Sequence, residues 1–357
     1  MSLVNGFAAV CNTTVTSSAQ CTPQTCCSAQ AQVQYVPSLA GNALFTGVFG
    51  LILVAQLGVG IKYKTWTFCI WMSCGLIGEI VGYVGRIMLH NNVFDFNAFL
   101  TYLIPLTIAP AFITASIYLC LARIIHVVDP ALRSTRLKPM TYTKIFVTFD
   151  LISLILQAAG GGITATSDDK STSDMGINIM ISGLAFQVAS IVIFMMLCAD
   201  FAWRLSKAGQ PSHMPQESGQ SGRNQQLHGN KDSWNLSAKD GSIMASTSLE
   251  RIRRSWMFHA FVVGLSVATI LILVRSSYRL AELQDGFNGK LANDEVMFMI
   301  LEGPMIILAC LFLTLAHPGL VFRGLWSMKD FAKLGVEVNM GELQMRSNEN
   351  SQEALTA

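Results

Sequence analysis

Seven stretches of about 20 apolar residues, each long enough to cross roughly 30 Å of hydrocarbon, leave this chain few folds to choose from. They fall at 41–61, 66–89, 98–122, 144–165, 176–199, 256–275 and 296–316. Composition agrees: 52 % of residues are hydrophobic and only 13 % charged, against about a quarter charged in a soluble domain. Buried helices of a large soluble core carry a polar stripe, which these stretches lack. The expected fold is all-α: a polytopic membrane protein, a seven-transmembrane helix bundle with its N-terminus outside and its C-terminus cytoplasmic.

That orientation follows from the basic residues. Residues 1–40 contain no Lys or Arg, and 166–175 carry only Lys170 among Asp168, Asp169 and Asp174. The opposite set of connections holds 19 of the 24 basic residues, among them Lys62, Lys64, Arg123, Arg133, Arg136, Lys138 and Lys144. The positive-inside rule makes that set cytoplasmic. Asn12-Thr13-Thr14 is a glycosylation acceptor of use only in an external segment. Cys11, Cys21, Cys26 and Cys27 lie in the same tail, where oxidising conditions permit disulfides. Four cysteines allow three pairings, and adjacent Cys26 and Cys27 are expected to take different partners. No basic start with an apolar core and cleavage site is present, so the first span is expected to carry the tail across.

The expected organisation is an extracellular Cys-containing tail at 1–40 and spans 1–5 within 41–199. A cytoplasmic loop follows at 200–255, then spans 6 and 7 within 256–318 and a cytoplasmic tail at 319–357. The loop 200–255 is rich in Ser, Gly, Gln and Asn and is expected to be disordered, a place for cytoplasmic regulators to act. Asn235-Leu236-Ser237 within it should stay unmodified. A short interfacial helix is expected near 326–335.

Polar residues inside the spans carry the functional information. An ionised side chain at mid-bilayer costs about 2.5–3.5 kcal/mol on insertion scales, so each asks for a partner or a cavity. Span 2 carries Glu79 and Arg86 on one face, roughly 10 Å apart along the axis. Span 4 repeats the spacing with Asp150 and Gln157, span 5 contributes Gln187, and span 7 Glu302. By depth, Glu79, Gln157 and Gln187 fall near the midplane and Asp150 towards the inside. Arg86 and Glu302 fall in the outer third, with Arg275, Arg279 and Glu282 at the outer end of span 6. The set is expected to trace one polar column through the bundle. Pro105 and Pro110 in span 3 are expected to kink it, and Gly160, Gly161 and Gly162 to close span 4 in a closely packed, flexible segment.

Absences narrow the class. No GxxxxGK[ST] loop is present, span 7 has no Lys for a retinal Schiff base, and the six histidines do not cluster. The expectation is no enzyme, no cofactor, no metal and no nucleic-acid partner.

Taken in order, GYVGR (82–86), IAPAFITASIYLCLARII (108–125), FDLISLILQAAGGG (149–162), GLAFQV (183–188) and VRSSYRLAE (274–282) with a downstream Glu295 resemble the fungal RTA-like, or lipid-translocating exporter, family. The resemblance covers roughly residues 35–325. It implies seven spans and, for some members, export of sphingoid long-chain bases or resistance to toxic lipophilic compounds. It also implies that Glu79, Arg86, Tyr118, Arg123, Asp150, Gln157, Gln187, Arg275, Tyr278, Arg279, Glu282 and Glu295 stand at the family's recurrent polar positions, with Glu302 where Asp is commoner.

The functional expectation is a translocator that moves sphingoid-base-like amphiphiles towards the outer leaflet of the plasma membrane, with membrane lipids or amphiphilic small molecules as its partners. Glu79 and Glu302 would meet the amine. The rival is a seven-helix receptor or lipid sensor; against it, spans 3 and 7 end in ARIIHVVDP and LAHPGLVF, without the usual receptor motifs.

Overall fold

A computed structural model describes residues 3–4, 7–8, 21, 26–27, 31, 33–128, 139–166, 169–208, 251–284, 289, 291, 293–322 and 326. Two short strands, β1 (Leu3–Val4) and β2 (Phe7–Ala8), pair antiparallel. The rest of the described chain is mainly helical: α1 (Leu39–Lys62), α2 (Trp66–Asn91), α3 (Phe96–Val128), α4 (Pro139–Thr166), α5 (Lys170–Ala208) and α6 (Trp256–Gln284). The seventh span is broken into α7 (Glu295–Leu301) and α8 (Gly303–Leu315), followed by the short α9 (Pro318–Phe322). Among the described residues, seven segments are long and apolar enough to cross a membrane.

Tight turns force neighbours to run antiparallel. Between α1 and α2 the chain reverses in three residues, helped by a left-handed Lys64 (φ 55°) and by the Thr65 amide donating to the Gly60 carbonyl at 3.0 Å. Caps fix the other entries: Ser38 Oγ accepts from the Gly41 amide at 3.4 Å, and Asp294 Oδ1 from the Val296 and Met297 amides at 3.0 and 3.2 Å. These bonds satisfy amides that a helix start leaves without internal partners.

Burial sorts the helices into layers. α3 is the central post, with 78 % of its most apolar window buried, whereas α1 is 22 % buried and lies at the rim. Leu44, Leu51 and Val54 of α1 face outward, as lipid-facing residues must. α2 packs on α3 so closely that a Cβ on Gly85 would stand 2.5 Å from the Tyr102 amide nitrogen. α4 and α5 meet in the same way, Gly160 approaching the Gly176 carbonyl and the Met180 amide. Small residues allow such approach where no hydrophobic force between helices is available.

Several boundaries differ from the sequence reading. The 166–175 connection shrinks to 167–169, because α4 continues through Gly160–Gly162 to Thr166 and α5 begins at Lys170. Of the three glycines only Gly160 is closely packed; a Cβ on Gly161 or Gly162 would meet nothing within 4 Å. α5 runs on to Ala208 and residues 251–254 are helical, so the expected loop shortens from both ends. α3 stays helical through Pro105 and Pro110. The break falls instead in span 7 at Glu302, where Pro304 has no N–H to give the Ile300 carbonyl. Asn12, Cys11, residues 209–250 and the expected helix near 326–335, apart from Trp326, lie outside the described residues.

At one end of the bundle the segment before α1 closes over the helix ends. The Gln34 amide donates to Asn293 Oδ1 at 2.9 Å, the Ser38 amide to Glu295 at 2.5 Å, and His90 Nδ1 lies 2.7 Å from the Pro37 carbonyl oxygen. Cys21 and Cys26 form a disulfide beside buried Val93 and Phe94. Cys27 is also disulfide-bonded, so the adjacent cysteines take different partners, as expected. At the opposite end Trp326 is buried, its Nε1 donating to Thr67 Oγ1 at 2.9 Å and its ring lying 3.9 Å from the Arg123 guanidinium. Arg123, read from the sequence as a residue of a basic loop, is buried there.

Candidate functional site

The polar span residues that the sequence offers as a site are all buried, but they form separate groups instead of one column. The first lies between α2, α6 and the α7–α8 break. Arg275 Nη2 sits 2.5 Å from Glu302 Oε1, Arg279 Nη1 2.6 Å from Glu282 Oε2, and Arg279 Nε 3.8 Å from Glu302 Oε1. The sequence places Arg275, Arg279 and Glu282 at the outer end of a span, yet α6 extends past them and encloses them. Their mutual neutralisation makes that burial tolerable.

Local sequence explains part of this geometry. Pro110 of α3 cannot donate to the carbonyl of Leu106, four residues back. That freed carbonyl accepts a hydrogen bond from Arg275 Nη2. The proline therefore supplies a ligand to the charge cluster without interrupting the helix. The Glu302 break likewise turns a side chain of span 7 towards both arginines.

Glu79 faces this group, with Arg275, Glu302 and Arg279 as the charges acting on it, but both of its carboxylate oxygens lack a hydrogen-bond partner among the described residues. The Tyr83 hydroxyl, one turn along α2, is likewise unpartnered. Arg86 is held differently. Its Nη2 donates to the Tyr35 hydroxyl at 2.8 Å and its Nε to Asn42 Oδ1 at 3.3 Å. Its guanidinium lies 3.8 Å from the Phe298 ring centroid and 5.2 Å from that of Tyr102. Burial pushes the Tyr35 phenol above its usual range, so it remains a neutral oxygen for Arg86 at physiological pH. With Arg86 counted, three buried guanidiniums lie among the carboxyl groups of Glu79, Glu282 and Glu302.

A second group lies between α3, α4 and α5. Thr114 Oγ1 donates to Asp150 Oδ2 at 2.8 Å, while Asp150 Oδ1 has no partner among the described residues. The Tyr118 and Ser190 side chains act on the same carboxylate, and the hydroxyls of both lack a hydrogen bond of normal geometry. Phe194 packs on the Tyr118 ring at 4.6 Å and Phe146 at 5.5 Å. Two turns further along α4, Gln157 Nε2 donates to Gln187 Oε1 at 3.0 Å, leaving Gln157 Oε1 open.

The structure therefore joins Glu79, Arg275, Arg279, Glu282 and Glu302 in one cluster and places Arg86 beside it. Tyr118 and Asp150 form another group, with Gln157 and Gln187 beyond it on the same helices. Glu302, expected to meet a substrate amine, is ion-paired with both arginines. Sequence reasoning missed Tyr35, Asn42, Tyr83, Tyr102, Thr114, Ser190 and Phe298. Neutral or aromatic residues of a span carry no cost that marks them, and only proximity in space reveals them.

Residues 72–325 match the family described as RTA1 like protein, a range that includes both groups except Tyr35 and Asn42. The chain is 36 % identical over 294 residues to the sphingoid long-chain base transporter RSB1 of Saccharomyces cerevisiae, covering 81 % of this chain and 74 % of that protein. It is 26 % identical over 279 residues to Protein RTM1 of the same species, covering 75 % of each. Identity is 24 % over 299 residues to the "Probable lipid transporter atnI" of Emericella nidulans, covering 81 % of this chain and 68 % of that one. No solved structure matches. This integral multi-pass membrane protein belongs to the RTA1-like family.

Proposed function

We propose that this protein moves single-chain amphiphiles across a cell-surface membrane towards the outer leaflet, with the segment before α1 outside and the C-terminus in the cytoplasm. The observation that carries the reading is a set of buried polar atoms without a hydrogen bond of normal geometry among the described residues, on Glu79, Tyr118, Asp150, Gln157 and Ser190. Unsatisfied groups in hydrocarbon cost several kcal/mol each, so a protein built only for stability would replace them. A polar head group passing through would satisfy them in turn while its chain stays in lipid.

The named relatives support the same substrate class: one is a sphingoid long-chain base transporter and another carries a lipid-transporter name. Translocation needs no bond to be made or broken, so the protein acts as a carrier and not as an enzyme. Tolerance of toxic lipophilic compounds, and regulation through residues 200–255, belong to the same proposal.

The test is flux. Purified protein in liposomes should speed the movement of a fluorescent long-chain base from one leaflet to the other, saturably, over protein-free vesicles. Saturable binding of the same base with no flux would favour the receptor reading.

A further inference from the structure

The two polar groups differ in what they leave open. Around Arg275, Arg279, Glu282 and Glu302 the open atoms include the guanidinium nitrogens Arg275 Nε and Arg279 Nε and Nη2, and Glu79 beside them faces the same guanidiniums, which would repel an ammonium. Along α3, α4 and α5 the open atoms are acceptors and hydroxyls: Asp150 Oδ1, Tyr118 Oη, Ser190 Oγ and Gln157 Oε1.

Spacing shows that these atoms share a seam. On α3, positions 107, 114, 118 and 121 are separated by seven, four and three residues. On α5, positions 180, 187, 190, 194 and 197 repeat at seven, three, four and three. Both are the period of a single helix face. On α4, Asp150 and Gln157 lie two turns apart, roughly 10 Å along the axis.

An apolar groove opens at each end of this seam, and the backbones of α3 and α5 scarcely approach each other. One shallow groove is lined by Leu121, Ile125, Phe194, Leu197, Cys198 and Phe201. The other, also shallow, includes Leu103, Thr107, Gln157, Ala158, Gly161 and Met180. Phe194 joins the first groove to the Tyr118 ring and so to Asp150. Gln157 joins the second groove to Gln187.

We infer that the α3–α4–α5 seam is the lipid path: a long-chain ammonium with neighbouring hydroxyls enters from the Phe194–Cys198 groove, is received by Asp150, Tyr118 and Ser190, steps to Gln157 and Gln187, and leaves by the Thr107–Met180 groove. The inference rests on the translocation reading and adds its route and head-group chemistry. Charge selects the occupant. Asp150 offers a carboxylate oxygen to a cation, the hydroxyls and amides match vicinal alcohols, and the grooves take hydrocarbon. Among the described residues no Lys or Arg lines either groove or acts on Asp150, so an anionic phosphate head group finds no partner there. The Arg–Glu cluster is then the lock that holds α2, α6 and the broken span together beside the path.

The experiment uses full-length protein in liposomes with two readouts. Photo-cross-linking with a diazirine-bearing long-chain base should label peptides of α3 around Leu121 and of α5 around Leu197, with unlabelled base competing. Flux of the base should fall at least tenfold in the near-isosteric Asp150→Asn and several-fold in Ser190→Ala, with partial recovery in Asp150→Glu. Its N-acylated, uncharged analogue should be moved poorly by wild type and be indifferent to Asp150→Asn. Labels on α2 and α6 around Glu79, or wild-type flux in a folded Asp150→Asn protein, would overturn the route while leaving translocation in place. Labels at the seam with no flux in wild type would overturn the route together with translocation.

Discussion

At the scale of single residues, the cost of burying charge decides which side chains can be changed. Arg275 is bonded to Glu302 and to the Leu106 carbonyl with 1 % of its surface exposed. Arg275→Leu takes from Glu302 its nearest cation. Polar pairs between membrane helices average about 0.6 kcal/mol, because the unfolded chain also finds partners. An unpaired charge at mid-bilayer costs about 2.5–3.5 kcal/mol, and this penalty outweighs the pairing energy. Arg275→Leu is therefore expected to destabilise by about 2–3 kcal/mol. Adding Glu302→Leu restores the balance and should recover part of the loss, measured as the non-additivity of a double-mutant cycle in detergent. Arg86 obeys a different rule, since its contacts are ring faces, an amide and a phenol. Arg86→Lys keeps the charge but loses the planar stack on Phe298 and the forked donors. It should lower the thermal midpoint measurably, and Arg86→Met should lower it by no more than twice as much.

At the scale of elements, the helices are legible in the sequence and their mutual orientation is not. A run of apolar residues reports that a span exists, which is why five of the seven starts lie within two residues of the expected positions, α4 and α5 beginning earlier, at Pro139 and Lys170. Hydropathy is blind to a local break, so the Glu302-Gly303-Pro304 interruption leaves no mark on it, although Pro304 announces one. Depth along an axis is readable too, but not rotation about it. Asp150 and Glu79 therefore read as members of one column when they face different neighbours. Helix approach is set by small side chains, and this gives a test. In Gly85→Val the new side chain would collide with the backbone of α3 at Tyr102, where no rotamer change relieves it. A loss of about 1–3 kcal/mol is expected from overpacking. Gly161→Val, where a Cβ meets nothing within 4 Å, should be neutral in the same thermal assay.

For the whole molecule, the direction of transport depends on which way the bundle faces, and two independent physical arguments support the proposed orientation. Basic residues crowd the connections on the side of Lys62 and Arg204, the side that the positive-inside rule would keep in the cytoplasm. The opposite end carries the Cys21–Cys26 disulfide and a segment tied down through Gln34, Tyr35, Pro37 and Ser38, and disulfides persist in oxidising compartments. The chain holds its own control for this reading, because Asn12-Thr13-Thr14 and Asn235-Leu236-Ser237 are both glycosylation acceptors and lie on opposite sides of the expected topology. Only an acceptor outside the cytoplasm can be modified. Protein made in a fungal host should therefore run as a glycoform that endoglycosidase collapses. Asn12→Gln should abolish that form and Asn235→Gln should leave it intact. A glycan on Asn235 would invert the bundle and, with it, the direction of transport, because the groove at Phe194–Cys198 would then open to the outer leaflet.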